Sequence, residues 1–356
     1  MKEMIIDGAV RRLKVGEPIL YVDNEARKRS GHVGHALANF GDGKVIAFNM
    51  NTSPVRVDGH SEFGWMEYRI SEDFGETFGE INELPYSKEA FFDGNFVATV
   101  EKAVVCDDGS LVAIAKRGTQ FAAICSYPHL SSYVLRSTDQ GKTWEEPYEL
   151  APDKGRVYDV IYHEGSIYAL EHCNDAKKLW QGTLPEHVYK IFKSDDNGKS
   201  FYELCVVPFP DVYFRAYGAL NFDLEGNLVV YAYNKNDEYN LDYIKSPDKG
   251  QTWGEAGKSP VPQRIRNPQI GILDDQYILH GREAGNVNHF MLYTSADGIN
   301  WDNGVRIVDG ELPGMSFYSD NVVIEKDGKN RMLIQYSQCY YKYCVNVYHR
   351  WLEHID

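Results

Sequence analysis

The sequence predicts an all-β chain, a six-bladed β-propeller with four-stranded blades. Three observations carry that reading. Five copies of one turn motif recur: SEDFGETF from Ser71, STDQGKTW from Ser137, SDDNGKSF from Ser194, SPDKGQTW from Ser246 and a shortened SADGINW from Ser295. Copies 49 to 66 residues apart mark a tandem array of the size of a propeller blade or solenoid repeat. Second, six segments each hold two apolar alternating runs around a tight turn, a hairpin signature. Third, helical periodicity is hard to find over any window of a dozen residues, and 25 Tyr with 16 Phe suit strands better than helices.

In chain order the six hairpins are HALANFGDGKVIAF, KAVVCDDGSLVAIAK, DVIYHEGSIYAL, ALNFDLEGNLVVYAY, IGILDDQYILHG and NVVIEKDGKNRMLIQY. Each supplies two inner strands, and a third strand then runs into the Asp-containing turn. In that turn the Asp hydrogen-bonds the backbone, the Gly takes a positive φ and the aromatic packs the turn onto neighbouring strands. The sixth turn motif is missing. VNVYHRWLEH near the C-terminus therefore needs a partner, and the N-terminal EPILYVD is expected to close the last blade on the first.

These features resemble the sialidase superfamily, six-bladed propellers carrying Asp-boxes. The resemblance runs over nearly the whole chain. In blade one, GHVGHALANFGDGKVIAF through SEDFGETF has the layout of a sialidase's opening Arg-Ile-Pro strand, hairpin, acid-bearing loop and first box. In blade six, FYSDNVVIEKDGKNRMLIQY resembles the segment holding the tyrosine nucleophile, here Tyr318. The sugar-clamping arginine triad is not plainly kept. Gly31, His32, Val33, Gly34 and His35 occupy the stretch of the first arginine; the second aligns near Tyr233 and the third near Val287, with Arg215 and Arg282 nearby as substitutes. The family's acid/base aspartate would fall within GHSEFG, where Glu62 and His60 are the titratable groups. The glutamate that polarises the tyrosine would fall near Tyr217.

Composition narrows the function classes. A net charge of −15 argues against nucleic acid or an acidic membrane surface, both of which call for basic patches. No apolar run has the length of a membrane span or signal segment, so a cytoplasmic protein is expected. The repeats run from about residue 30 to the C-terminus, so residues 1–356 are read as one domain. Six cysteines, Cys106, Cys125, Cys173, Cys205, Cys339 and Cys344, show no Cys-x-x-Cys pairing and are expected reduced. No metal-ligand spacing occurs and no cofactor is expected: His32 and His35, three apart on a strand, point to opposite faces.

In a propeller the starts of the innermost strands and the exits of their hairpin partners converge on one face. Polar residues there are His32 and His35 in blade one, Glu101, Lys102 and Arg117 in blade two, and Tyr158, Asp159, Glu171 and His172 in blade three. Blade four adds Arg215, Tyr217 and Tyr233, blade five Arg266, Asn267, Arg282 and Glu283, and blade six Tyr318, Asp320 and Gln338. Any one of them also reads as a paired channel-lining group. Four arginines at equivalent places in separate repeats point to an anionic ligand, since buried like charges cost several kcal/mol unless answered.

The candidate catalytic groups are therefore Tyr318, Glu101, Asp159, Glu62 and His35. The candidate substrate-binding groups are Arg117, Arg215, Arg266, Arg282, His32, His60, His172 and Asp320. A tyrosine nucleophile needs a base, for which Glu101, Asp159 and Asp320 are candidates, and it avoids the repulsion a carboxylate would meet at an anionic sugar. The leading expectation is exo-hydrolysis of a terminal anionic sugar from an oligosaccharide, as the resemblance implies. A lyase acting on a uronate and a non-catalytic glycan-binding propeller are the alternatives.

Overall fold

The computed structural model describes residues 3–119, 128–211, 213–283, 288–310, 312 and 316–355. Cys125 and Val287 lie outside them. Six antiparallel sheets stand around a ring, and the inner strand of each packs against the inner strands of its two neighbours. Those inner strands are Leu37–Gly41, Val97–Val105, Arg156–His163, Arg215–Phe222, Arg266–Leu273 and Ser319–Lys326. Each of blades one to five continues outward through a second and third strand to a short fourth, as in Gln276–Glu283, His289–Ser295 and Val305–Val308 of blade five. Among the described residues no helix is long and apolar enough to cross a membrane.

The recurring turns do more than reverse the chain. In the first, Ser71 Oγ donates to Asp73 Oδ1 at 2.7 Å and accepts from Gly75 N at 2.9 Å, while Asp73 accepts from Thr77 N at 2.9 Å and Thr77 Oγ1 at 2.6 Å. The same Ser–Asp–Gly arrangement recurs at Ser137, Ser194, Ser246 and Ser295. The motif aromatic reaches across the seam to the preceding blade. Trp144 packs on Phe48 and Tyr68 of blade one, Phe78 on His349 of blade six, and Trp301 Nε1 donates to Ser259 Oγ of blade four at 2.9 Å. In return Tyr68, Tyr148 and Tyr231 donate their hydroxyls to the turn carbonyls of Gly141, Gly198 and Gly298 in the following blade. Each turn thus fastens two blades together.

Blade six, which lacks the motif, uses the N-terminus instead. Arg12–Val15 pairs with Leu352–Ile355, and Ile19–Val22 pairs with Val347–His349 further along the same strand, so the fourth strand is a composite broken at Gly16–Pro18. EPILYVD closes the ring as expected, and the preceding hairpin, Met4–Asp7 against Arg12–Val15, extends the closure. Its turn sits on blade five: Ala9 N donates to Thr294 Oγ1 at 2.7 Å, and Val10 N and Arg11 N donate to Gln276 Oε1 at 2.7 and 2.9 Å. It fastens the seam that the missing sixth motif would have fastened.

Candidate functional site

Inner strands buried on both faces cannot aim large polar groups at the ring axis by simple alternation, and here four of them break register near their starts. The irregularities fall between Val100 and Lys102, Val157 and Asp159, Arg215 and Gly218, and Arg266 and Gln269. The extra residues are Glu101, Tyr158, Ala216–Tyr217 and Asn267–Pro268. Bulges re-aim side chains, and these four gather around one end of the axis. In blade six, Phe317 takes φ 68° immediately before Tyr318, and Asn267 takes φ 63° in blade five. Non-glycine residues held there carry local strain of the kind concentrated at functional sites.

Below this end, the axis is crossed by an ionic tier. Lys102 Nζ hydrogen-bonds Asp320, donates to Gln269 Oε1 at 2.5 Å and lies 3.6 Å from Asp159. The two carboxylates also accept backbone N–H groups: Asp320 from Leu37 at 2.8 Å, Asp159 from Leu220 at 2.8 Å and Val160 at 3.0 Å. Burial pushes both carboxyls up, against the pull of Lys102, while the lysine itself is held protonated, above its usual value, by the two acids despite its burial. A cavity of about 30 Å³ lies just above, lined by His35, Glu101, Arg156, Tyr158, Asn267 and Tyr318 among others; it has room for a water or two.

A second network flanks it. Lys116, fully buried, donates to both oxygens of Glu62 at 2.6 Å and lies 3.9 Å from Glu101, which receives Arg156 at 2.9 Å. Two cations and two carboxylates balance there. Beside it stand Arg266 and Arg282. Arg266 has no carboxylate within ion-pair distance among the described residues; its guanidinium lies 4.8 Å from the Trp180 ring and 6.0 Å from Tyr233. The Arg282 guanidinium lies 5.1 Å from the Tyr318 ring. Tyr217 and Tyr318, both buried, meet hydroxyl to hydroxyl at 3.1 Å, and Tyr158, Trp180 and Tyr233 wall Tyr217 in. Among the described residues the cluster holds Lys116, Arg156, Arg266 and Arg282 beside Glu62 and Glu101, in a chain of net charge −15.

The histidines nearby are neutral at ordinary pH. Burial, then Arg282, bring His60 down to about 4, and burial brings His35 to about 4 and His172 to about 3. His32, likewise held well down by burial and then by His60, stacks edge-on to the rings of His60 at 4.7 Å and Tyr318 at 5.5 Å. Among the described residues no group of three or more His, Cys, Asp or Glu is placed to hold a metal ion.

No protein-family model matches the chain. A sialidase of Paraclostridium sordellii is 22% identical over 241 residues, a match covering 61% of this chain and 56% of that protein, so just over half the relative's length is represented. A Dyadobacter fermentans protein of unknown function superposes with TM-score 0.75 at 15% identity over 96% of this chain and 99% of its own. The Hadza microbial sialidase Hz136 superposes with TM-score 0.67 at 14% identity over 96% of this chain and 69% of its own. The chain is a divergent, sialidase-like propeller.

Within this sialidase-like propeller the sequence-chosen residues separate into three groups. Tyr318, Arg266, Arg282, Glu101, His32, His35 and His60 stand around the mouth of the axis. Asp159, Asp320 and Glu62 are committed to Lys102 or Lys116 and, for the aspartates, to backbone N–H groups. Arg117 and Arg215 lie apart from the cluster. Arg117 turns outward along blade two, stacked on Tyr133 and bonded to Ser131 and Glu149, because its neighbour Lys116 takes the axial side of the strand. Arg215 pairs with Asp242 and Asp211 along blade four. His172 is stacked on Tyr189 within blade three. The sequence reading passed over Arg156, Lys116 and Trp180. Arg156 opens its inner strand and Lys116 sits one residue from Arg117, so both were within reach; Trp180, in a loop, gave no periodic signal.

Proposed function

We propose that this sialidase-like propeller is an exo-acting glycoside hydrolase that takes a terminal acidic sugar, with Tyr318 as nucleophile. The observation that carries the reading is the placing of Tyr318, hydroxyl to hydroxyl with Tyr217, beside Arg282 and within reach of an Arg266 that no described carboxylate pairs. Guanidinium forks suit a sugar carboxylate, and Trp180, Tyr158 and Tyr233 offer apolar walls for the faces of a ring. The names of the Paraclostridium and Hadza relatives support a sialidase-type substrate in outline. His32 stands in the stretch of a sialidase's first arginine, which favours an acidic sugar other than ordinary sialic acid.

The test is a panel of oligosaccharides ending in sialate, uronate or a sulfated sugar, read for reducing ends and for ultraviolet absorbance. New reducing ends from an acidic terminus are expected. Efficient cleavage of sialyl-lactose would overturn the specificity, and an intact panel would favour glycan binding. The paired tyrosines also suit a lyase, in which a phenolate removes the α-proton of a uronate whose carboxylate an arginine neutralises; an unsaturated, ultraviolet-absorbing product would show it.

A further inference from the structure

Among the described residues, the carboxylates nearest Tyr318 each pair with a cation: Glu62 with Lys116, Glu101 with Arg156, Asp159 and Asp320 with Lys102. A phenol with an ordinary pKa near 10 is a poor nucleophile at neutral pH without a base. The fold brings another phenol, Tyr217, to the Tyr318 hydroxyl from the bulge of the blade-four inner strand. We propose that Tyr217 is the base for Tyr318: the two phenols share one proton, and Arg266 and Arg282 answer the charge of the resulting phenolate.

Geometry singles Tyr217 out among its neighbours. Its ring crosses that of Tyr318 at 74° with centroids 6.3 Å apart, so the hydroxyls meet while the rings stay packed. From blade three it faces Tyr158 and Arg156, from blade four Tyr233, and from blade five Arg266 and Arg282. Burial by itself would raise the Tyr217 phenol, but Arg266, Arg282, Arg156 and the Tyr318 hydrogen bond outweigh it and hold the group below 10.0. Burial wins at the adjacent Tyr158, Tyr189 and Tyr233, all of which are raised. Tyr158 has only Arg156, already answered by Glu101, to set against its burial, and Tyr233, though it faces Arg266 and Arg282, lacks the hydrogen bond to Tyr318 that Tyr217 makes.

The proposal rests on the hydrolase reading for its catalytic consequence. As Tyr318 Oη attacks the anomeric carbon, Tyr217 phenolate takes the Tyr318 proton, the glycosidic C–O bond breaks, and the leaving oxygen takes a proton from solvent. Water then attacks the anomeric carbon and releases a proton to solvent. The Tyr318–sugar bond breaks, and Tyr318 recovers its proton from Tyr217. The sum is one glycosidic bond and one water exchanged for two hydroxyls.

The deciding experiment is an ultraviolet tyrosinate titration of the wild-type chain, Tyr217→Phe and Tyr318→Phe, with melting curves to confirm folding. Wild type should ionise a single tyrosine below the ordinary phenol range. Tyr217→Phe should lose that ionisation, and Tyr318→Phe should keep it at a higher pH, having lost one of its supports. An unchanged low-pH ionisation in Tyr217→Phe overturns the proposal whether or not any glycan is turned over. On an acidic oligosaccharide that the wild type cleaves, Tyr217→Phe should lower kcat by roughly 10²-fold or more with KM little changed. It should also move the acid limb of the pH profile upward, because the phenolate form is the active one and is lost as pH falls. Full activity with an unmoved profile overturns the proposal equally, whereas a panel without turnover counts against the hydrolase and leaves the titration to decide the pair.

Discussion

Lys102 is the residue on which the most buried charge depends. Its ammonium stands between Asp159 and Asp320, both nearly inaccessible, and the burial of each acid is offset chiefly by that one cation. Replacing it with Met removes the cation and strands two carboxylates, a change of the kind that costs about 3–5 kcal/mol. Lys102→Met should therefore show a marked fall in melting temperature, and a variant as stable as wild type would show that the tier is not a load on the fold. Single residues were also where the sequence was hardest to read. Arg266, Arg282 and Tyr318 could be found because inner-strand starts and hairpin exits converge by fold alone. Arg117 could not be told from Lys116, since adjacent strand residues differ only in which face they take. Tyr217 was visible as an inner-strand residue, but its meeting with Tyr318 depends on a bulge, and no local composition announces where register will slip.

The recurring turn is the element that the sequence made plainest, and its chemistry was readable from eight residues: a Ser, an Asp and a Gly close the turn as expected. What the motif alone could not reveal is that its aromatic belongs to the blade before it, because that partner lies from 42 (Ser259 for Trp301) to 271 residues (His349 for Phe78) away in the chain. The seam makes these glycines unequal to those of the inner hairpins. A Cβ on Gly198, at φ 77°, would come within 2.5 Å of Val112 in blade two, whereas one on Gly165, at φ 79°, would meet nothing within 4 Å. Gly165→Ala should cost only the left-handed backbone penalty, about 1–2 kcal/mol. Gly198→Ala should cost about 1–3 kcal/mol beyond that, for the crowding of the seam. Comparable denaturant midpoints for the two variants would contradict the fastening role of the turns.

At the scale of the whole molecule, the number of blades follows from counting hairpins, and the closure follows from finding one strand without a partner. The composite nature of the closing strand does not, because Pro18 interrupts a segment too short to display two registers. Gln276, completely buried, holds the N-terminal turn through two backbone N–H groups, so Gln276→Ala should cost about 1–3 kcal/mol. Removing residues 1–15 should lower the melting temperature further, since it also bares the edge of Leu352–Ile355; a truncated chain that melts like the intact one would show that the seam between blades five and six holds without it. The tier at Lys102 has a different consequence for the ring as a vessel. Its four residues reach toward one another across the ring from blades two, three, five and six, so the ring carries a floor of paired charge beneath Tyr318. On the hydrolase reading proposed above, a glycan would meet that floor end-on, tip first, rather than lie threaded through the ring.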